Sequence, residues 1–155
     1  MRGSVGVLAA AGLVVLMVGL RDARGAARTI ETATARIRIE TRAVNRAHLV
    51  GPRDVHAPSG VVYRRYGAHG YQFQPLASFG RVNALLDARE PRKAKSLARA
   101  LVARGVRIGP GLYWQYPFGV YGARPQWTSG LTQAVAAQAL ARTGLMNDAR
   151  HAFAA

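Results

Sequence analysis

Residues 109–144, GPGLYWQYPFGVYGARPQWTSGLTQAVAAQALARTG, place a dense set of aromatic side chains directly before an amphipathic helical pattern. Pro117, Pro125, Gly119 and Gly122 interrupt the aromatic part, which excludes one continuous helix there. The rings are therefore expected on turns or short strands. Tyr and Trp rings carry a polar O–H or N–H group, and Arg and Gln side chains lie close to them in the sequence. Such a set of residues suits either a sugar-binding surface or ordinary packing in a core. Composition leaves both alternatives open.

Upstream of this stretch, the sequence predicts a helical hairpin. Leu76 to Arg89 carries apolar residues at helical spacing, and Glu90-Pro91 ends the pattern. Pro91 is suited to the first position of a second helix, where its missing N–H costs nothing. That helix reaches about Arg104 and stops at Gly105.

Downstream, the pattern predicts a second helical hairpin. Thr128 or Ser129 is a suitable N-cap for a third helix, and Gly144 ends it. A short fourth helix begins at Asn147 or Asp148. The third helix is expected to carry Leu131, Val135, Gln138 and Leu140 along its apolar face.

The N-terminal segment differs from the rest. Residues 1–20 have one early Arg and no charge from Gly3 to Leu20, which predicts a signal peptide or a signal-anchor helix. We expect the remaining chain to be extracytoplasmic, either secreted or held at the membrane through residues 3–20 if these are not cleaved. Residues 21–60 are Arg-rich and interrupted by Gly51-Pro52, and we interpret them as a stalk or linker before a domain at 61–155. Their hydrophobic period stays undecided between helix and strand.

Composition limits the chemistry. The chain has no cysteine, which excludes disulfides and thiolate chemistry, and its four histidines are scattered singly, so we expect no metal and no cofactor. The formal net charge is +15. Such an excess favours a polyanionic partner: nucleic acid, anionic lipid or an acidic polysaccharide.

Three segments resemble the C-terminal domain of the glucuronyl C5-epimerase family: YQFQPLASFGRVNALL (71–86), GLYWQYPF (111–118) and PQWTSGLTQAVAAQALARTG (125–144). The family carries a Trp, a Ser with a small residue after it, and a Gln, all leading into a helix that ends at a Thr-Gly turn. Here these positions are Trp127, Ser129-Gly130, Gln133 and Thr143-Gly144, with Ala134 where the family usually has Gly.

The resemblance implies a mainly α fold, with helical hairpins of an (α/α) toroid-type domain. Two hairpins are too few to close a toroid, so we expect a truncated domain, completed by further helical segments or by an oligomer. It implies inversion of carbon 5 of glucuronate within an acidic polysaccharide, by proton abstraction on one face of the ring and return on the other.

The same resemblance directs attention to particular residues. Arginines 64, 65 and 124 could stabilise charge that builds on the uronate carboxyl group, and a tyrosine with a lowered pKa could move the proton. The family's own catalytic Tyr and Glu lie mostly in a segment that would follow Ala155. The weak catalytic candidates are Tyr113, Tyr116 and Tyr121, and the expected substrate-binding residues are Arg64, Tyr71, Trp114, Arg124, Trp127 and Gln133.

Two other functions remain open. One is a non-catalytic, membrane-anchored module that binds an anionic glycan, which agrees with the missing catalytic segment. The other is a binder of nucleic acid or anionic lipid that depends on the positive charge. The expected export argues against nucleic acid, and the sequence contains no recognised base-reading motif.

Overall fold

The computed structural model describes residues 30–49, 51–119 and 122–155. The expected signal or anchor segment and Tyr121 lie outside the described residues. Helix α1 covers residues 30–47. It is followed by β1 (Asp54–His56), β2 (Val62–Arg65), a 3₁₀ turn (Gly67–His69), β3 (Tyr71–Phe73), α2 (Pro75–Asp87), α3 (Pro91–Val102), β4 (Val106–Ile108), β5 (Gly111–Tyr113), α4 (Gly130–Arg142) and α5 (Met146–Phe153). None of the described helices combines the length and apolar character needed to cross a bilayer.

Both helical hairpins predicted from the sequence are confirmed. Pro75 and Pro91 open α2 and α3, which pack against each other, and α4 packs against α5 and α2. The side chain of Ser129 caps α4 by accepting a hydrogen bond from the Thr132 N–H, as expected of a Ser N-cap. Gly144 adopts a left-handed φ of 78° at the end of α4. The mainly helical prediction is therefore confirmed in part, because the fold is mixed and two small antiparallel sheets accompany the helices.

The expected face of α4 is wrong by about one position. Leu131 is 62% exposed and Gln138 is exposed, whereas Gln133 is 7% exposed. Leu140 does enter the core and Val135 packs against its edge. The buried face consists mostly of small residues, because α4 packs closely against α2 and α5. The buried residues are Thr132, Gln133, Ala136, Ala139 and Leu140.

The core centres on Trp114, which is fully buried. Its ring meets Phe79 of α2 edge to face at a centroid distance of 4.6 Å. Its indole Nε1–H donates to the Leu101 carbonyl of α3 over 2.8 Å. This one side chain therefore joins α2, α3 and the segment that follows β5.

Residues 30–57, expected to belong to a stalk, instead contribute to this core. Ile37 and Val44 of α1 and Val55 of β1 are buried in the same hydrophobic cluster as the domain helices. Strand β1 pairs antiparallel with β2, with Val55 opposite Tyr63. The expected boundary at residue 60 thus falls inside a β-hairpin. In α1, Ala33, Ile37 and Val44 are buried at positions i, i+4 and i+11. Such a helix has one apolar face that requires a partner, and the domain supplies it.

A partly buried ionic network holds α1 in place. The Arg104 guanidinium, at 4% side-chain exposure, donates to both carboxylate oxygens of Glu40 on α1. The Tyr63 hydroxyl of β2 donates to the same carboxylate over 2.7 Å. An unpaired buried charge is very unfavourable, so Glu40, Tyr63 and Arg104 fix α1 against β2 and the end of α3.

A second attachment joins α1 to the edge strand β3. The Asn45 carboxamide accepts from the Tyr71 N–H and donates to the Tyr71 carbonyl, both over 2.8 Å, as a neighbouring strand would. Gly70 makes this approach possible: a Cβ there would lie 2.3 Å from the Asn45 Oδ1, and its φ of 65° also favours glycine.

We expect Glu40→Ala to lower the free energy of unfolding by about 3 kcal/mol, because the buried Arg104 then loses its counter-ion. Urea unfolding followed by Trp fluorescence measures this. Glu31→Ala, on the exposed side of the same helix, is the matched control and should change stability by less than about 0.5 kcal/mol. Equal effects of the two substitutions would contradict the proposed attachment of α1.

Candidate functional site: an arginine cleft along helix α1

A cleft of about 240 Å³ lies between α1 and the segment 114–129, here called the aromatic loop. We call it the arginine cleft. It is lined from α1 by Thr34, Ile37, Arg38, Thr41 and Arg42, from β3 and the end of α3 by Gln72, Arg104 and Val106, and from the aromatic loop by Gln115, Pro117, Pro125 and Gln126. The lining combines cations, amides and hydroxyls with a few apolar surfaces.

The α1 wall carries two arginines, Arg38 and Arg42. Arg38 and Arg42 lie four residues apart on the same side of the helix, are exposed, and form no ion pair with another described residue. Like charges at this spacing destabilise a helix slightly. Arg104, by contrast, is committed to Glu40. Two guanidinium groups are therefore available at the mouth of the cleft for a bound anion.

The opposite wall of the cleft is stabilised by a contact between Tyr116 and Trp127 of the aromatic loop, here called the aromatic clasp. The rings of Tyr116 and Trp127 stack at a centroid distance of 4.0 Å and an interplanar angle of 7°. The Tyr116 N–H donates to the Trp127 carbonyl over 2.9 Å, and the Gln126 N–H donates to the Tyr116 carbonyl over 2.8 Å. The clasp fixes the backbone beside Gln115 and Gln126, whose side chains make no hydrogen bond to another described residue.

Two local features mark the cleft as unusual. Gln126 has a left-handed φ of 70°, which is uncommon for a residue other than Gly and costs on the order of 1 kcal/mol. The Thr41 hydroxyl is buried and has no hydrogen-bond partner among the described residues. Buried polar atoms normally find a partner, so a ligand or a water in the cleft would satisfy this one.

Three of the residues expected to bind sugar are interior residues. Trp114 lies in the core, as described above, and the Tyr71 hydroxyl donates to the Pro52 carbonyl over 2.6 Å. Gln133 accepts from the Trp114 N–H and donates to the Leu112 carbonyl. Its carboxamide thus bonds the backbone of β5 and of the first residue of the aromatic loop. None of the three offers a free polar atom to a ligand, because their polar atoms are bonded inside the fold.

The other expected binding residues are dispersed. Arg64 forms a bidentate ion pair with Asp54, in which both N···O distances are 2.7 Å. Trp127 stacks on Tyr116 and donates its Nε1–H to the Phe118 carbonyl. Arg124 is exposed on the aromatic loop but does not line the arginine cleft, and Tyr113 on β5 is half-buried outside it.

The catalytic expectation for Tyr116 conflicts with its surroundings. Burial raises the pKa of its phenol, while a hydrogen bond with Thr132 and the nearby Arg64 oppose that shift only partly. A tyrosine that is to accept a proton near neutral pH needs a lowered pKa. Tyr116 is therefore a packing residue at neutral pH, and Tyr121 lies outside the described residues.

The arginine cleft is not among the features expected from the sequence, because residues 21–60 have the composition of a linker. A usable signal was present: Thr34, Arg38 and Thr41 recur at helical spacing beside the apolar series Ile37 and Val44. That pattern indicates a helix with one buried stripe and an adjacent polar stripe. No group of three or more His, Asp or Glu residues able to hold a metal ion occurs in the described ranges.

Comparisons of the chain with protein-family models, with curated proteins and with solved structures found no match.

We expect Gln133→Ala to lower the free energy of unfolding by about 2 kcal/mol, because it leaves the buried Trp114 N–H and Leu112 carbonyl without partners. Thermal and urea unfolding measure this. Gln138→Ala, on the exposed side of the same helix, is the matched control and should have little effect. If Gln133→Ala were as stable as the control, its buried hydrogen bonds would not support the loop.

The raised pKa values of three tyrosines lead us to expect that the free energy of unfolding falls at alkaline pH. Burial is the largest cause of the raised pKa of Tyr63, Tyr66 and Tyr116. In the unfolded chain these phenols ionise near pH 10. Because their folded pKa lies above the unfolded value, their contribution to stability is complete below about pH 10 and is lost as the pH rises further.

Tyr116→Phe should therefore make this alkaline loss of unfolding free energy shallower, while the ring stack on Trp127 is retained. Urea unfolding at a series of pH values, with phenolate absorbance recorded in parallel, provides the measurement. A phenolate signal from Tyr116 near pH 10 in the folded protein would show that it is not shielded by burial.

Proposed function

We propose that this protein binds a carboxylate-bearing sugar, a uronate unit of an acidic polysaccharide, in the arginine cleft. The observation that carries the proposal is the pair Arg38 and Arg42, which lack a counter-ion among the described residues and face the loop glutamines across a small concave site.

The cleft lining matches the parts of a uronate. A guanidinium group donates two parallel N–H bonds to a carboxylate, which makes Arg the preferred partner for that group. The carboxamides of Gln115 and Gln126 both donate and accept, as sugar hydroxyls require. Pro117, Pro125 and Val106 offer apolar surface for the C–H faces of the ring.

The size of the cleft favours a single sugar ring. Its volume of about 240 Å³ is smaller than the roughly 300–1,000 Å³ of pockets that enclose drug-sized ligands. The rest of a polymer would therefore lie along the surface of the protein. Its exposed carboxylates would meet the remaining positive charge there.

Binding is better supported than epimerisation. Proton abstraction from carbon 5 requires a base on one face of the ring and an acid on the other. The described lining of the cleft has arginine as its only titratable residue type, and arginine stays protonated. Epimerase activity within a completed helical toroid remains the hypothesis drawn from the resemblance. Exchange of the carbon-5 hydrogen in a glucuronan with solvent deuterium would reveal it.

Nucleic acid is a weaker candidate. Proteins that bind single strands stack bases on accessible aromatic rings. The described lining of the arginine cleft contains no aromatic side chain, and the nearby Tyr116 and Trp127 stack on each other.

We expect the double substitution Arg38→Gln, Arg42→Gln to weaken binding of a short oligoglucuronate at least tenfold, since charge-assisted hydrogen bonds are lost. Isothermal titration calorimetry at fixed ionic strength measures the affinity. Arg92→Gln, Arg99→Gln removes the same charge from the exposed side of α3 and is the matched control.

A neutral oligoglucoside of the same length should bind much more weakly than the glucuronate. Equal weakening by both double substitutions would mean that net charge, and not the cleft, determines affinity. Tighter binding to single-stranded DNA or to anionic lipid vesicles at the same ionic strength would replace the glycan proposal.

A further inference from the structure

We infer that the bound polyanion continues from the arginine cleft along α1 into a second anion-binding hollow formed with the β1–β2 hairpin, so that the ligand is a chain long enough to fill both. This inference rests on the proposed function. The second hollow, of about 610 Å³, is lined by residues that include Asn45, His48, Arg53, Arg65 and Tyr71.

Both depressions open on one face of α1. Thr34, Thr41 and His48 recur at intervals of seven residues, which returns each to the same side of a helix. The first two line the cleft and the third lines the second hollow just beyond the helix end. A ligand that follows this face therefore passes from one depression to the other.

The two depressions share a border. Asn45 lines the second hollow and donates to the carbonyl of Thr41, which lines the cleft. On the other side, the consecutive residues Tyr71 and Gln72 line the second hollow and the cleft respectively. At this border Asn45 bonds the Tyr71 backbone and leaves no room for a side chain at Gly70, so a ligand would cross on the solvent side of this contact.

The β1–β2 hairpin places two arginines opposite each other beside this border. Arg53 and Arg65 are cross-strand neighbours, with the Arg65 N–H donating to the Arg53 carbonyl over 2.8 Å. Both side chains are exposed and form no ion pair with another described residue. The adjacent cross-strand pair, Asp54 and Arg64, is neutralised by its own ion pair.

Like charges directly opposite each other disfavour strand pairing. In this hairpin the pair Asp54 and Arg64 is neutral, whereas the adjacent pair Arg53 and Arg65 carries two positive charges on the side that faces α1. An anionic group held between Arg53 and Arg65 would remove this repulsion, and His48 lies in the same hollow.

The distance between the two sites defines the ligand class. From Arg38 to His48 there are ten residues, or roughly 15 Å along a helix. One carboxylate, sulfate or phosphate cannot reach both sites, whereas a chain with repeated anionic groups can. The ring of Tyr71 in the second hollow is 1% exposed, so it offers no free face for a nucleobase. These contacts favour an acidic glycan chain.

Calorimetric titration with glucuronic acid and with oligoglucuronates of increasing length tests the inference. We expect affinity to rise at least tenfold once the chain spans both sites, because the second contact becomes intramolecular. Arg53→Gln, Arg65→Gln should abolish this rise and leave the affinity for the monosaccharide unchanged. Both side chains are exposed, and unchanged thermal unfolding checks that the variant is folded.

The outcomes separate this inference from the proposed function. If the monosaccharide binds but longer chains gain nothing, or if the gain survives Arg53→Gln, Arg65→Gln, the second hollow is overturned and the arginine cleft stands. If the monosaccharide and the oligomers both fail to bind, the proposed function itself fails. If single-stranded DNA with the same number of charges shows the larger length-dependent gain, the glycan is the wrong polymer.

Discussion

The carboxylate of Glu40 is the contact on which the arrangement around the candidate site depends. It accepts from the buried guanidinium of Arg104 and from the hydroxyl of Tyr63, and so joins α1 to the end of α3 and to β2. Charges removed from water are tolerated when their hydrogen bonds are complete, as they are here. Because α1 is fixed in this way, its polar stripe becomes one wall of a cleft.

The aromatic loop forms the other wall through packing rather than through rings presented to solvent. An irregular segment that crosses a domain must find partners for its backbone polar groups. Gln133 accepts from the Trp114 N–H, the indole of Trp127 donates to the Phe118 carbonyl, and the stack of Tyr116 on Trp127 closes the loop. The aromatic richness of the segment is thus explained by the folding of the loop, and the side chains left to face the cleft are glutamines and prolines.

The ion pairs neutralise some arginines of the surface and leave others unpaired. Asp54, Asp87 and Asp148 pair with Arg64, Arg142 and Arg107. Such surface pairs contribute little stability, but they neutralise the faces on which they lie. Arg38, Arg42, Arg53 and Arg65 have no such partner in the described ranges, and all four line depressions beside α1. Uncompensated positive charge therefore lines the two depressions beside α1.

Sequence alone determined the two hairpins, because proline at a helix start, the Ser129 cap and the glycine at residue 144 act through local backbone geometry. It also determined the positive charge, which is a sum over residues. The sequence alone could not determine which side chains are buried in the fold and which are exposed. Trp114 and Gln133 are hidden because α2, α3 and α4 converge on them, and α1 joins the domain because Glu40 meets an arginine 64 residues later in the chain. Contacts between distant residues have no local pattern in the sequence, so the tertiary structure decided which polar groups are enclosed and which remain open to a ligand.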